Sequence, residues 1–373
     1  MDALMLPLNW QRVRLGDIGK PCMCKRVMKH QTTRYGEIPF YKIGTFGNTA
    51  DAFISKKLFL EYKTKYSFPK KGDILISASG TIGRAVIYDG KPAYFQDSNI
   101  VWIDNDETLV KNDFLFYAYS NVKWNTEHTT ILRLYNDNFR NTLIPLPSLN
   151  EQSAIANILS GLDRYLCALD ALILKKESVK KALSFELLSQ RKRLKGFNQA
   201  WQRVRLGDIA NYLTSNLSVE QITQQGKIKV YDVNNFIGYT NTTFISDKPY
   251  ISIVKDGSVG RVRILPPKTN ILSTMGALIA NHKTTTEFLF YLLSNFDFKN
   301  FISGSIIPHI YFKDYKEKTI FLPPLDEQIA IANILIDLDN EIISLKNKKR
   351  QFENIKKALN HDLMSAKIRV LEK

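Results

Sequence analysis

The chain has 373 residues, 44% of them hydrophobic, and its 52 Lys and Arg against 36 Asp and Glu give a formal net charge of +16. This length exceeds what one hydrophobic core usually supports and predicts two or more domains, while the apolar content excludes general disorder. No segment approaches the ~20 apolar residues of a membrane-spanning helix, the start of the chain lacks signal-peptide features, and three poorly spaced cysteines indicate a reducing compartment. We therefore expect a cytoplasmic protein whose basic excess suits a polyanionic partner.

Two blocks of sequence occur twice. Trp10–Ile18 recurs without change as Trp201–Ile209, and Leu146–Leu159 returns with few substitutions as Leu322–Leu335. Two blocks repeated in the same order indicate a tandem duplication. The segments between them mostly differ, which predicts one architecture that presents two different surfaces.

The segment after each opening block is rich in short strand patterns. In the first copy we predict strands at 38–43, 73–77, 85–88 and 100–103 and a short aromatic helix at 113–119. In the second copy we predict strands at 228–233, 250–254 and 262–265 and a helix at 287–293. The two segments therefore share a fold although their loops differ.

A glycine turn also appears in both copies, as Ser79–Arg84 and Asp256–Arg261. It lacks the Gly-x-x-x-x-Gly-Lys-Ser/Thr pattern and the strand–loop–helix context of a nucleotide-binding loop. We interpret it as a hairpin turn from which Arg84 and Arg261 could reach a phosphate.

A long helix follows each strand-rich segment. The first runs from Glu151 to about Arg193, with Asn150 as its predicted N-cap and a stop at Lys195–Gly196. The second starts after Asp326, its predicted N-cap. The predicted heptad seam alternates spacings of three and four: Ile155, Ile158, Leu162, Tyr165, Leu169, Leu172, Lys176, Val179 and Leu183, then Ile331, Ile334, Leu338, Glu341, Leu345, Lys348, Phe352, Ile355 and Leu359.

A helix of about 40 residues is on the order of 60 Å long and would leave its seam in water without a partner. The other copy is the nearest partner, and a compact insert between the helices favours an antiparallel pair. The predicted fold class is α+β: a tandem pseudo-symmetric repeat of two α/β domains separated by two long antiparallel, coiled-coil-like helices.

The polar loops of the two α/β domains are the candidate binding residues. Arg and Lys suit guanine and phosphate, and Asn and Gln suit adenine, so two domains with different side chains would read two different DNA half-sites. The candidates in the first domain are Lys25, Arg26, Lys29, Gln31, Arg34, Lys42, Thr81 and Arg84. Those in the second are Gln221, Gln224, Lys227, Lys229, Ser258 and Arg261.

Catalytic and metal-binding patterns are weak. Asp51 followed by Glu61 and Lys63 resembles the carboxylate pair and lysine of restriction-type nucleases, but the second copy has no counterpart. Cys22 and Cys24 lack the second ligand pair that a structural zinc site needs. We therefore expect neither a catalytic residue nor a metal site nor a bound cofactor in this chain.

The repeated openings, the Leu-Pro-x-Leu-x-Glu-Gln helix starts at Leu146 and Leu322, and Lys71–Ser77 with the following glycine turn resemble the specificity (S) subunits of type I restriction–modification enzymes. The resemblance covers nearly the whole chain. It implies target-recognition domains at residues 1–147 and 196–323, each contacting one half of a split double-stranded DNA target. It also implies spacer helices at residues 148–195 and 324–373, which would set the distance between the halves.

The resemblance further implies partners that supply the chemistry. The helices and repeated frames would dock two methyltransferase (M) subunits, which carry S-adenosylmethionine and modify adenine. Restriction (R) subunits, if they accompany this complex, would bring ATP and magnesium for translocation and cleavage. Two alternatives remain open: the specificity component of a methyltransferase-only or type IIB-like assembly, and a nuclease that uses Asp51, Glu61 and Lys63.

Overall fold

A computed structural model describes residues 10–125, 127–128 and 132–370. The chain forms two compact units, of which the first contains the residues up to Leu169 and those from Lys348 onward, and the second contains Asp170–Asn347. Each unit therefore contains one strand-rich domain and about half of each long helix. In the part of the chain that the structure describes, no helix is both long and apolar enough to cross a membrane.

The first unit is built on a four-stranded antiparallel sheet in the order β2-β8-β5-β6, a three-stranded sheet β4-β3-β7 and the antiparallel pair β1-β11. Its strands are β1 (Gln11–Arg14), β2 (Gly19–Met23), β3 (Ile38–Tyr41), β4 (Ala52–Ile54), β5 (Ile74–Ser77), β6 (Ala85–Ile87), β7 (Tyr94–Phe95), β8 (Ile100–Asn105), β9 (Glu127–His128), β10 (Leu132–Arg133) and β11 (Leu143–Leu146). Its helices are α1 (Leu15–Ile18), α2 (Lys56–Lys65), α3 (Asn112–Tyr119), α4 (Asn136–Asn141) and the first half of α5 (Leu149–Leu188).

The second unit repeats this plan with sheets β13-β19-β16-β17 and β15-β14-β18 and the pair β12-β20. Its strands are β12 (Gln202–Arg205), β13 (Ala210–Thr214), β14 (Ile228–Tyr231), β15 (Phe236–Thr240), β16 (Tyr250–Val254), β17 (Val262–Leu265), β18 (Asn270–Ile271), β19 (Met275–Ala280) and β20 (Thr319–Leu322). Its helices are α6 (Thr286–Ser294), α7 (Phe312–Tyr315) and the first half of α8 (Leu325–Met364). The tandem repeat, the mixed helix and sheet content and the predicted strands are thus confirmed.

Both long helices contribute to the core of each unit. In the first unit Ile155 and Leu159 of α5 and Leu363 of α8 are buried in one cluster with Trp10 and the sheet. In the second unit the same places are taken by Ile331, Leu335 and Leu187 beside Trp201. Burial of these apolar side chains attaches each domain to both helices.

The helices are 40 residues long, as predicted, but their ends differ from the prediction. Asn150 and Asp326 lie inside the first turn instead of capping it, and the Ser148 hydroxyl accepts from the Glu151 N–H at 3.3 Å. The first helix ends at Leu188, before the predicted stop, and Gln190 follows with φ of +62°. This left-handed conformation terminates the helix without the glycine that we expected.

Within each unit the two helices run antiparallel. In the second unit Lys176 pairs with Glu341 at 2.8 Å, and Lys180, further along α5, pairs with Asp339, which comes earlier in α8. In the first unit Lys356 pairs with Asp163, and Tyr165, further along α5, contacts Phe352, which comes earlier in α8, with ring centres 4.8 Å apart. In all these pairs the residue numbers rise on one helix as they fall on the other, which defines the antiparallel direction.

Each of these aspartates also receives a hydrogen bond from a domain. Tyr117 of α3 donates to Asp163 at 2.7 Å, and Tyr291 of α6 donates to Asp339 at 2.8 Å. Burial and the neighbouring carboxylate raise the pKa of both tyrosines, so both remain proton donors. A tyrosine from the domain, an aspartate from one helix and a lysine from the other thereby fix the helix register.

The predicted heptad seam is right at Ile155, Leu169 and Ile331, which are buried, but its rotation is wrong at several other positions. Ile158, Leu172 and Val179 are about 40% exposed, whereas Leu159 and Ile173 are buried. In the second helix Ile342 is buried in place of Glu341. The buried face of α5 follows Ile155, Leu159, Leu169 and Ile173, and adjacent apolar residues such as Leu172 and Ile173 made both rotations equally consistent with the sequence.

A buried glutamate at the start of each long helix connects three segments of its unit. Glu327 accepts from the Trp201 indole Nε1 at 2.9 Å and from Arg193 at 2.7 Å. Glu151 accepts from the Trp10 indole Nε1 at 2.9 Å and from Arg369 at 2.7 Å. Because each arginine follows the end of the other long helix, one carboxylate joins the opening strand, one helix start and the opposite helix end.

The glutamine that follows each glutamate is also buried and saturated with hydrogen bonds. The Gln152 amide donates to the carbonyls of Leu109 and Pro147 and accepts from the Lys111 N–H. Gln328 likewise donates to the carbonyls of Lys283 and Pro323 and accepts from the Thr285 N–H. The repeated Glu-Gln pair is therefore a structural element that attaches each helix to its domain.

Replacing Glu327 by alanine should destabilise the second unit. The buried Trp201 N–H would lose its acceptor, which alone costs about 1–3 kcal/mol, and the loss of Arg193's partner adds to this. Glu327→Gln should cost less because it keeps an acceptor for the indole. Chemical denaturation of the three proteins measures the difference. Glu317→Ala, which breaks an exposed ion pair with Arg205, is the control, and an equal loss of stability in that variant would contradict the interpretation.

Candidate nucleic-acid interface

The loop around Lys29 in the first domain has the same backbone turn as the matching loop in the second domain. In the first domain a 3-10 turn at Lys29–Gln31 is closed by the Gln31 side chain, which accepts from the Met28 N–H at 2.8 Å. In the second domain Val219–Gln221 forms the same turn, and Gln221 accepts from the Ser218 N–H at 2.9 Å. The side-chain oxygens of these two candidate readers are thus used by the loops themselves.

The exposed residues on this shared backbone differ in charge. Lys25, Lys29 and Arg34 project from the first loop. In the second loop Gln224 occupies the position of Arg34, 190 residues further along, and both Gln224 and Lys227 are exposed. One backbone therefore carries a cationic surface in one domain and a largely amide surface in the other.

Three of the predicted basic contacts are already engaged within the first domain. Arg26 pairs with Asp97 at 2.7 Å, and Lys42 pairs with Asp51 at 2.8 Å. The Arg84 guanidinium donates to the Phe46 carbonyl at 2.9 Å. These side chains would have to exchange an internal partner for DNA. Lys25, Lys29 and Arg34, by contrast, form no ion pair with the residues that the structure describes. Lys229 of β14 is exposed.

The glycine turns are hairpin turns, as predicted, connecting β5 to β6 and β16 to β17. Gly83 and Gly260 adopt φ of +83° and +81°, and a Cβ on either would lie within 3 Å of Trp124 or Phe298. Only glycine fits at these positions. The turns expose Thr81 and Ser258, and Arg261 is exposed beside the second turn.

In each domain a further loop contacts both the loop that contains the 3-10 turn and the glycine turn. In the first, Asp97 holds Arg26, and Asn99 accepts from the Ser79 hydroxyl at 2.7 Å and from Arg133. In the second, the Ser273 N–H donates to the Leu217 carbonyl, and Thr274 accepts from the Asp256 N–H. We define the first loop cluster as residues 24–35, 79–84, 97–99 and 133, and the second loop cluster as residues 215–227, 256–261, 272–274 and 303–309.

Sequence reasoning missed several members of the loop clusters. His309 Nδ1 lies 2.7 Å from Asp256 Oδ1, and Arg133 takes the corresponding place beside Ser79 in the first domain. A shift of 176 residues relates Arg133 to His309, so the repeat itself could have paired these positions. The residues of the first domain that correspond to 302–308 are 126–132, and most of them lie outside the described residues.

The nuclease-like residues are not assembled as the alternative requires. Glu61 and Lys63 lie two residues apart on α2 and so point to different sides of the helix. Glu61 pairs with Lys65 at 3.1 Å, while the Lys63 ammonium lies over the rings of Phe59 and Phe68. Asp51 pairs with Lys42, which holds its pKa below the usual range.

The cysteines show no metal-site geometry. Cys24 is buried just after β2, and desolvation raises its pKa to about 12, while Cys22 lies on β2 in a half-buried position. Among the described residues, no group of three or more His, Cys, Asp or Glu side chains is arranged to hold a metal ion.

Comparison with known proteins agrees with this architecture. A sequence profile described as the type I restriction modification DNA specificity domain matches residues 7–177 and 198–354. The type I restriction enzyme MjaVIII specificity subunit of Methanocaldococcus jannaschii is 26% identical over 99% of this chain and 95% of its own length. A Haemophilus influenzae protein, provisionally named a type I restriction enzyme specificity subunit, is 63% identical over 148 residues, which are 39% of this chain and 38% of that protein.

Solved structures show the same fold. The S subunit of a type I restriction–modification system from M. genitalium has a TM-score of 0.63 and 20% identity over 98% of this chain and 99% of that one. A chain from a structure of type I system assembly and conformational transition has a TM-score of 0.60 and 16% identity over 96% of this chain and 98% of its own. Because the family profile matches both halves of the repeat, this chain belongs to the type I restriction–modification DNA specificity family.

Proposed function

We propose that this chain is the DNA sequence-specificity subunit of a type I restriction–modification complex and that each domain reads one half of a bipartite target. The observation that carries the proposal is one loop backbone with two sets of exposed side chains, exemplified by Arg34 and Gln224. A shared backbone positions both loops in the same way, and different side chains favour different bases. A chromosomal target would place the complex in the cytoplasm.

We further propose that the long helices dock two M subunits and set the spacing between half-sites. Ile158 and Ile355 in the first unit, and Leu172, Leu174 and Ile343 in the second, are exposed apolar side chains on these helices. Exposed apolar side chains along a helix suit contact with a partner protein. S-adenosylmethionine, ATP and magnesium would then be bound by M and R subunits, with this chain supplying recognition only. A methyltransferase-only or type IIB-like assembly would use the same surfaces.

Removing cations from the first loop cluster should weaken binding to all DNA sequences. Lys29→Ala and Arg34→Ala should each reduce the slope of log affinity against log salt by about 1, because each contact with a phosphate releases counterions. Fluorescence anisotropy of the assembled complex with labelled duplexes at several salt concentrations measures the slope. Lys91→Ala, which removes an exposed cation outside the loop clusters, should leave it unchanged. Equal slopes for all variants would contradict this placement of the interface.

Lengthening the helices should change only the spacing of the target. Four residues inserted after Leu172 add about 6 Å to one helix. A matched insertion after Leu345 restores the pairing of Lys180 with Asp339 and Lys356 with Asp163, because positions 172 and 345 oppose each other in the observed antiparallel register.

Sequencing of methylated adenines in cells that contain the complex tests both proposals. The unmodified chain should yield a motif of two short blocks separated by unspecified bases. The matched insertions should widen the gap by about one to two base pairs and leave both blocks unchanged. A single uninterrupted motif would refute the two-reader proposal, and an unchanged gap in a folded, active complex would refute the spacing role.

A further inference from the structure

The second loop cluster contains a closed loop, residues 303–309, in which residues 303–308 have no charged side chain. Ser303 and His309 close it with two backbone hydrogen bonds, of 2.9 Å from the Ser303 N–H and 2.7 Å from the His309 N–H. Gly304 has φ of +88°, and a Cβ there would lie 2.3 Å from the Ile307 carbonyl oxygen. The loop therefore has one defined conformation that requires glycine.

This loop is attached to the glycine turn. The Gly257 N–H donates to the Pro308 carbonyl at 2.9 Å, and the His309 imidazole lies 2.7 Å from the Asp256 carboxylate. The Ile310 N–H donates to the Lys255 carbonyl at 2.9 Å, and the Ile310 side chain is buried. The tip of the loop is thus held in a fixed position relative to Ser258 and Arg261.

Two isoleucines occupy the tip. Ile306 is 92% exposed and Ile307 is 54% exposed. Single exposed apolar side chains are ordinary on protein surfaces and need no explanation. Two adjacent isoleucines at the tip of a hydrogen-bonded, glycine-dependent loop are different. The fixed loop conformation keeps both apolar side chains in water, which is energetically unfavourable.

The residues that adjoin the loop are polar, and they include the exposed cations Arg261 and Lys313 as well as Asp256, which contacts His309. Ser258 and Arg261 are exposed on and beside the adjoining turn. Tyr311 is 49% exposed, its ring stacks on His309, and the Lys313 ammonium lies 5.5 Å from the ring centre. Residues 201–325 carry 14 Lys and Arg against 9 Asp and Glu. An apolar tip among cations suits a polyanion that also displays methyl groups.

We propose that Ile306, supported by Ile307, contacts the 5-methyl group of a thymine in the half-site that the second domain reads. The inference rests on the proposed function and names one specificity-determining residue for it. In the major groove only the A·T pair displays a methyl group, and apolar side chains distinguish thymine through it. Arg261 and Lys313 would contact flanking phosphates and hold the tip in the groove.

A protein partner fits the tip less well. A stable protein interface needs roughly 20–30 residues on each side, and its core is depleted in charge. Here two isoleucines lie on a small loop between Ser303 and His309, next to a turn that exposes Ser258. DNA requires no large apolar area, because phosphate contacts supply most of the affinity.

The test removes the methyl group from DNA and the side chain from the protein in turn. The assembled complex is titrated with duplexes of the methylation-defined target in which each thymine of the second half-site is replaced singly by uracil. At one position the unmodified complex should bind about four-fold more weakly, the equivalent of one buried methyl group. Ile306→Ala should weaken binding to the thymine duplex by a similar factor and lose the uracil effect. Ile264→Ala, another exposed isoleucine of this domain, should retain the uracil effect.

The outcomes separate this inference from the proposed function. If the unmodified complex does not prefer the split target to a scrambled duplex, the proposed function fails. If it does, but no uracil position depends on Ile306, the inference alone is overturned. A third outcome uses duplexes that carry 2-aminopurine in the second half-site. If its fluorescence rises on binding only when Ile306 is present, and no uracil effect is seen, Ile306 inserts between bases and the inference is also overturned. An Ile306→Ala variant that assembles normally and keeps the full uracil effect would overturn it too.

Discussion

A buried carboxylate at the start of each long helix is the contact on which the rest of each unit depends. Glu151 and Glu327 are almost fully buried, and each is paired with an arginine and an indole N–H. A buried charge without partners would be strongly destabilising, so the three segments must meet for the unit to fold. Because the arginine follows the end of the opposite helix, the contact requires the two helices of a unit to be antiparallel.

This requirement leaves the loop clusters free to vary. Three sets of contacts attach the helices to the domains: the buried carboxylates, the Gln152 and Gln328 amides, and the Tyr–Asp–Lys contacts. The loop clusters are held separately, by glycine turns and by side chains such as Gln31 and Gln221 that close the same turn in both copies. The frame therefore does not depend on the exposed loop residues, and under the proposed function these positions can change specificity without loss of stability.

The sequence was sufficient for the repeat, the strands and the approximate extent of the helices, because these follow from local patterns. It was not sufficient for the rotation of the seam, since Leu172 and Ile173 are equally apolar and only contact with a partner selects one of them. Asn150 and Asp326 failed as caps because the helices begin one residue before them.

Contacts between distant segments were the other limit. Trp201 and Glu327 both lie in repeated blocks, yet 126 residues separate them and no pattern pairs them. The same holds for Asp256 and His309, and the exposure of Ile306 depends on hydrogen bonds that close its loop. The predicted DNA contacts stay predictions, although Lys25, Lys29 and Arg34 have the exposure that such contacts need.

Under the proposed function, one repeated architecture carries two loop clusters that recognise different half-sites. The most direct test is a chain in which both domains are the same. Residues 19–142 are replaced by residues 210–318, so that strands β1 and β11 and both long helices remain unchanged. The tyrosine that contacts Asp163 is then supplied by the copy of Tyr291. Methylated-adenine sequencing of the assembled complex should show the second half-site on both sides of the gap and no trace of the first. A folded, active complex that modifies the original motif, or shows the second half-site on one side only, would contradict the account.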